Sequence, residues 1–199
     1  MVEIYRTELT VSATNGHEHA PARNTGHAAS AARPVTESDA NDILEYAGAA
    51  RPTLYMNFRR HRDIEESIAF ARRCVDCWAS GSAFPWAIAR KGDDDRLIGV
   101  IELRLSPPKA DFGYVLNEEY WGNGFASEAA IAVVSWALAQ PGIFRVWATC
   151  HPENVASAQV LRKAGLQLEA TLGNWEARPQ LGELAGASLS FARTRPPSS

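Results

Sequence analysis

The segment Tyr120-Trp121-Gly122-Asn123-Gly124-Phe125-Ala126-Ser127-Glu128 constrains the fold of this 199-residue chain more than any other. It leaves a strand-like pattern, crosses two glycines and enters a run, Phe125 to Gln140, that reads as a helix. The apolar residues Ala129, Ile131, Ala132, Val133, Val134, Trp136 and Leu138 nearly encircle that helix. A helix so apolar is buried on most sides, so other elements must pack around it. Its start also carries chemistry. The first N–H groups of a helix have no partner within it and bear a partial positive charge, and glycine leaves no side chain to obstruct an anion there. Two glycines alone fit either a phosphate cradle or a bare strand-to-helix turn. Two nucleotide motifs do not fit. Ser127 stands where a dinucleotide fingerprint has its third glycine, and Ile143 to Trp147 offer no carboxylate for a ribose. The Gly-Lys-Ser/Thr of a triphosphate loop is absent.

Regular punctuation surrounds this junction. Ala31 to Val35 reads as a short strand, and Thr36 caps a helix to about Ala47 with Asp39 as its capping-box partner. Asp63 opens a longer helix to about Trp78, with Ile64, Ile68, Ala71 and Val75 on one face, and Gly81 ends it. Three strands follow, Phe84 to Arg90, Arg96 to Leu105 and Asp111 to Leu116, joined by the turns KGDDD and SPPK. After Pro141-Gly142 come the strand Ile143 to Cys150, a helix from Asn154 to Ala164 ended by Gly165, and a last strand from Ala187 to Arg193. Two helices, an antiparallel meander, a βαβ step and closing strands make a single α/β layer structure. The ends differ from this domain, which spans residues 28–195. Residues 1–27 read as a flexible arm with room for a short strand between Glu3 and Val11, and residues 196–199 as a frayed tail.

Composition narrows the class. Apolar residues at 46% and charged residues at 22% give a soluble globular balance. A net charge of −3 provides no basic field for nucleic acid or acidic lipid. The stretch Ala129 to Ala139 is too short to cross a bilayer, which takes about 20 residues, and no secretion signal is read at the start. Three cysteines are too few and too odd for a disulfide framework, so the default location is the cytoplasm. No metal is expected. His17, His19 and His27 lack Cys or acidic companions at ligand spacing, and Cys74-Val-Asp-Cys77 lies inside an amphipathic helix with no second pair. Arg59-Arg60-His61-Arg62 reads as a solvated helix face. A monomer and a homodimer are equally compatible with the sequence.

From Ala32 to about Arg195 the chain resembles the GNAT superfamily of N-acetyltransferases, most of all the branch of ribosomal-protein N-terminal acetyltransferases. Four pieces carry the resemblance: Arg33-Pro-Val-Thr-Glu-Ser-Asp39, Asp111-Phe-Gly-Tyr114 with Asn117 to Ala126, Asn154-Val-Ala-Ser157 to Gly165, and Glu169 to Trp175. It implies the GNAT fold: a mixed, mostly antiparallel central sheet of six to seven strands, about four flanking helices, and two parallel strands that splay apart around acetyl-CoA. The pantetheine arm would lie along the backbone of Tyr114, Val115 and Leu116. The pyrophosphate would meet Trp121, Gly122, Asn123, Gly124, Phe125 and Ala126. Glu119 departs from the family, which often has Gln or Arg three residues before the first glycine, and its carboxylate must point to solvent to be harmless. The implied reaction is direct acetyl transfer to a primary amine, a protein N-terminus or a small molecule, without metal or covalent enzyme intermediate. Asp111, with Glu102 second, matches the general base that takes the amine's proton. Ser157 matches a hydrogen-bond donor to the leaving sulfur, and Asn154 a holder of pantetheine or water. A non-catalytic acyl-CoA-binding module of the same fold is the alternative. In this fold the basic run Arg59 to Arg62 borders the acceptor groove, where it would attract an acidic substrate.

Overall fold

The computed structural model describes residues 9–10, 30–90 and 96–195. The histidines at 17, 19 and 27, the KGDDD turn, the frayed tail and nearly all of the N-terminal arm lie outside these residues. One eight-stranded sheet organises the chain. Its strands are β1 (Leu9–Thr10), β2 (Ser30–Pro34), β3 (Phe84–Arg90), β4 (Leu97–Ser106), β5 (Lys109–Leu116), β6 (Arg145–Cys150), β7 (Gln167–Arg178) and β8 (Glu183–Thr194). They lie in the order β1-β2-β3-β4-β5-β6-β8-β7. All neighbours are antiparallel except β5 and β6. The helices are α1 (Ala40–Ala47), α2 (Ala50–Thr53), α3 (Ile64–Ser80), α4 (Phe125–Ala139) and α5 (Val155–Lys163). Seven strands of five or more residues match the expected GNAT sheet, with β1 added as a two-residue pairing inside the Glu3 to Val11 segment.

Local chemistry sets the helix ends as the sequence implied. Thr36 and Asp39 form the capping box ahead of α1. The Asp63 carboxylate accepts from the Glu66 N–H at the start of α3, and Gly81, at φ 69°, closes it in the left-handed conformation that suits glycine. Asn154 accepts from the Ser157 N–H at the start of α5 (3.0 Å).

Strand alternation then divides the core between two faces of the sheet. On β3, Phe84, Trp86 and Ile88 join the larger cluster with Ile101, Leu103, Phe112 and the α4 residues Ala130, Val133, Val134 and Ala137. Ala87 and Val100 face the other way, against Ile43 and Tyr46 of α1 and Ala71 and Cys74 of α3. The result is an α/β/α layering, with α1 and α3 on one face and α4 and α5 on the other.

Two helix faces differ from the periodicity. The buried line of α3 is Ser67, Ala71 and Cys74, while Ile64 and Ile68 lie on its flank and Val75 is 42% exposed. Small residues on that line let the helix approach the sheet closely, and bulkier ones are displaced sideways. On α4 the buried set is narrower than an encircling one, with Ile131 43% exposed. The basic run Arg59 to Arg62 lies in the loop before α3, not on a helix, and Arg62 is held by Glu66.

The feature that creates a site is the parting of β5 and β6. They pair in parallel only at Lys109↔Arg145, Ala110↔Val146 and Asp111↔Trp147. Beyond that point β5 runs on to Leu116 and β6 to Cys150 without further pairing. The splay follows the resemblance.

Candidate active site

Two cavities meet where β5 and β6 part, and they share Tyr55, Met56, Tyr114, Val115, Asn154 and Ser157 as walls. The first, of about 490 Å³, runs along the α4–α5 side of the gap. Its walls include Leu116, Trp121, Gly122, Gly124, Phe125 and Ala126, so nearly the whole expected cofactor set comes together there. Asn123 does not line it, because its amide folds back onto the carbonyls of Tyr120 and Trp121 (3.2 Å each) and tightens the turn.

Gly122 and Gly124 have φ of 80° and 90°, and a Cβ added at Gly122 would meet nothing within 4 Å. That left-handed path turns the chain into α4 with open space where side chains would otherwise stand. The N-cap of α4 is Gly124, which brings no side-chain acceptor of its own to the first N–H groups of the helix. Lys163 adds a cation to the cavity wall. Glu119 is exposed and is not among the lining residues, so its carboxylate does not oppose an anion there. These donors and the open backbone fit the diphosphate of coenzyme A.

Backbone alternation decides what β5 offers to the gap. The Val115 carbonyl points toward Gly99 of β4, so those of Tyr114 and Leu116 point to the side that β6 has left. The Leu116 carbonyl is already taken by the Trp121 indole N–H (2.9 Å). Leu116 therefore contributes an apolar wall and a carbonyl already engaged once, and the more open carbonyl on this edge is that of Tyr114.

The second cavity, of about 300 Å³, opens on the α3 side and holds both expected carboxylates. Glu102 and Arg104 lie on one face of β4, two residues apart, and Arg104 pairs across the hairpin with Asp111. Arg104 Nε donates to Asp111 Oδ2 at 2.8 Å, and its Nη2 also contacts that oxygen. Arg104 Nη1 donates to Glu102 Oε1 (2.9 Å), while Arg73 from α3 takes Glu102 Oε2 (2.5 Å). Burial alone would push the Arg104 guanidinium down, but its bonds to Asp111 and Glu102 outweigh that and hold it above its ordinary value. Asp111 Oδ1 makes no hydrogen bond to the described residues.

Further groups enter this cavity without having been singled out in the sequence. His151 stacks on Tyr55 with ring centroids 4.8 Å apart. Its Nδ1 accepts from the Glu153 N–H at 3.1 Å, which places the proton on Nε2, 3.6 Å from Glu183 Oε1. On β7 the register slips between Leu172 and Glu176, with Asn174 at φ 50°. This bulge sets Trp175 edge-on to Trp147 (6.4 Å) and brings Glu176 to Asn57 Nδ2 (2.8 Å), across the cavity mouth. Behind them Arg178 is fully buried and donates to Ser188 Oγ at 2.6 Å.

At the junction of the cavities Tyr114 donates its O–H to Ser157 Oγ (2.9 Å). Burial pushes the Tyr114 phenol far above its ordinary range, and the bond to Ser157 offsets only part of this. Burial likewise raises the nearby Cys150 thiol, again against a smaller opposing contribution from Ser157. Away from the site, Cys74 is buried and its thiol is pushed up to about 12 by burial, as a structural helix cysteine should be. Among the described residues no group of His, Cys, Asp and Glu could hold a metal ion. No described helix is long and apolar enough to cross a membrane.

Comparison with known proteins agrees with this geometry. Residues 32–167 match the family model of the acetyltransferase (GNAT) domain. An uncharacterized N-acetyltransferase, YoaA of Bacillus subtilis, is 32% identical over 143 residues, covering 70% of this chain and 80% of its own. The ribosomal L7/L12 alpha-N-protein acetyltransferase RimL, solved with coenzyme A, superposes with a TM-score of 0.75 at 18% identity over 94% of this chain and 98% of that one. The microcin C7 self-immunity acetyltransferase MccE, solved with acetyl-CoA and AMP, gives 0.74 at 16% identity over 83% and 92%. With a family model covering well over half its length, a relative above 30% identity, and a sheet split beside an open helix start, the chain belongs to the GNAT acetyltransferase family.

Proposed function

We propose that the protein moves the acetyl group of acetyl-CoA directly to a primary amine held in the second cavity. One observation carries this reading: the phosphate-fitting cavity and the carboxylate-bearing cavity meet at Ser157, Tyr114 and Asn154. Coenzyme A would supply the acetyl group as an activated thioester. The N–H groups from Gly122 to Ala126 and Lys163 would hold its diphosphate, the Trp121 N–H being donated to the Glu118 carbonyl (3.1 Å). The β5 edge at Tyr114 would orient the pantetheine, with Asn154 beside it.

On the acceptor side, Asp111 and Glu102 draw an ammonium group into the cavity, and Asp111 takes the proton that must leave before the nitrogen can attack. Asp111 is favoured over Glu102 because it keeps one oxygen without a hydrogen bond to the described residues, whereas both oxygens of Glu102 are engaged. Ser157 donates to the sulfur as it leaves. Positioning by the split sheet supplies much of the remainder.

The test is acetyl-CoA presented with a panel of primary amines, including peptides with free N-termini, followed by thiol release. Turnover with a subset of amines supports transfer. Saturable CoA binding with no turnover across the panel overturns transfer in favour of an acyl-CoA-binding module.

A further inference from the structure

We propose that Tyr114 is a positioning residue for this reaction: by donating to Ser157 Oγ it turns the serine's one proton toward the sulfur of the bound thioester. The inference rests on the acetyl-transfer reading and extends it to a side chain that the sequence placed only as backbone.

A serine hydroxyl has a single proton and two lone pairs. Three polar groups meet Ser157: Asn154 on its own helix, Tyr114 from β5 and Cys150 from β6. The Asn154 side chain takes the Ser157 N–H and leaves the hydroxyl alone. Between Tyr114 and Ser157 either oxygen is chemically able to donate. The surroundings decide it. Tyr114 is packed against the core beneath α4 and α5, and Ser157 Oγ is the acceptor the structure gives its phenol. Were Ser157 the donor, the phenol proton would be left without an acceptor, at a cost greater than a hydrogen bond contributes. Tyr114 therefore donates, one Ser157 lone pair is filled, and the serine proton rotates away from the phenol to the remaining acceptors, Cys150 Sγ or the sulfur of a bound ligand.

Ser157 and Tyr114 both line the junction of the cavities, where the thioester of a ligand lying along β5 would have its sulfur. A hydroxyl that accepts one hydrogen bond is also a better donor of the next, through mutual polarisation. The phenol itself does not give up its proton, since burial strongly opposes the phenolate. Tyr114 thus acts through Ser157 and makes no contact with the reacting carbon.

The experiment needs no acceptor. Ultraviolet absorbance of the thiolate gives the pKa of enzyme-bound CoA as the difference between CoA-loaded and CoA-free protein, measured throughout in a Cys150→Ala background so that the thiol beside Ser157 does not contribute and the others cancel. Tyr114→Phe keeps the ring and should raise the bound-thiol pKa by about half to one unit. Ser157→Ala should raise it at least as far, and the double variant no further than Ser157→Ala alone. With an active amine, Tyr114→Phe should lower kcat roughly 5- to 10-fold while leaving the acetyl-CoA KM unchanged. A Tyr114→Phe thiol titration identical to wild type overturns the proposal, as does an equal further shift when it is added to Ser157→Ala. Failure of CoA to bind the wild-type protein overturns both this inference and the reading beneath it. Normal bound-thiol shifts without amine turnover overturn the transfer reading alone.

Discussion

Asp111 and Glu102 share the Arg104 guanidinium, yet they are not equivalent as proton acceptors, because Arg104 reaches Asp111 through Oδ2 alone while two arginines occupy both oxygens of Glu102. Asp111→Asn should therefore lower kcat roughly 10²–10⁴-fold near neutral pH, with CoA affinity unchanged. Glu102→Gln should cost less turnover and act through Arg73 and Arg104, which lose their shared anion. The Asp111→Asn deficit should shrink as pH approaches the acceptor's own pKa, and kcat–pH profiles of the two variants check this. A second residue-scale prediction concerns Cys74, whose folded thiol is held up to about 12 against an ordinary value of 9.0. Between these values the unfolded chain releases a proton that the folded chain retains, so stability is complete below pH 9.0 and falls as pH rises toward 12. The slope from this group is at most about 1.4 kcal/mol per pH unit. Cys74→Ala should flatten the alkaline decline in urea-melt stability, and an unchanged slope would place the titration elsewhere.

At the scale of elements, strand alternation, caps and glycines were legible in the sequence because each is a local property. Asp63, Gly81, Asn154 and the Gly122–Gly124 turn all do what their residue types imply. Side-chain partnerships across the sheet were less so, although one was within reach. A two-residue hairpin at Pro107-Pro108 pairs Ser106 with Lys109 and hence Arg104 with Asp111. Read through that register, Asp111 could not have been a free carboxylate. The β7 bulge at Asn174 and the burial of Arg178 left no comparable signal, since they depend on how β7 and β8 slip past each other. The start of α4 yields the prediction at this scale. Gly124→Ala forces a side chain into φ near 90°, which should cost about 1–2 kcal/mol of stability without ligand. In the proposed placement the new methyl would stand beside the diphosphate, so CoA should stabilise the variant less than the wild type. Urea melts with and without CoA separate the two effects; an undiminished CoA increment would show that the diphosphate lies away from this turn.

Across the whole molecule, the sheet is continuous from β1 to β5 and from β6 to β7, but β5 and β6 are joined by three ladder pairs and, just before them, the Phe144 N–H to Pro108 carbonyl bond at the base of the gap. Helix α4 packs against both, with Val133, Val134 and Ala137 in the core they share. In the proposed placement, a thioester in the gap would supply what β5 and β6 do not give each other, lying between the open edge of one part and α5 of the other. Coenzyme A should therefore act as a missing sheet partner and stabilise the chain as one unit. At a concentration 100 times its dissociation constant a ligand adds about 2.7 kcal/mol. In a domain of this size, each kcal/mol raises Tm by roughly 2–4 °C, so the expected shift is about 5–10 °C. Calorimetry should show one transition moving upward with CoA. A melt that does not move would remove coenzyme A from the gap. Two transitions, of which one shifts, would show that the ligand binds to one side of the split without bridging it.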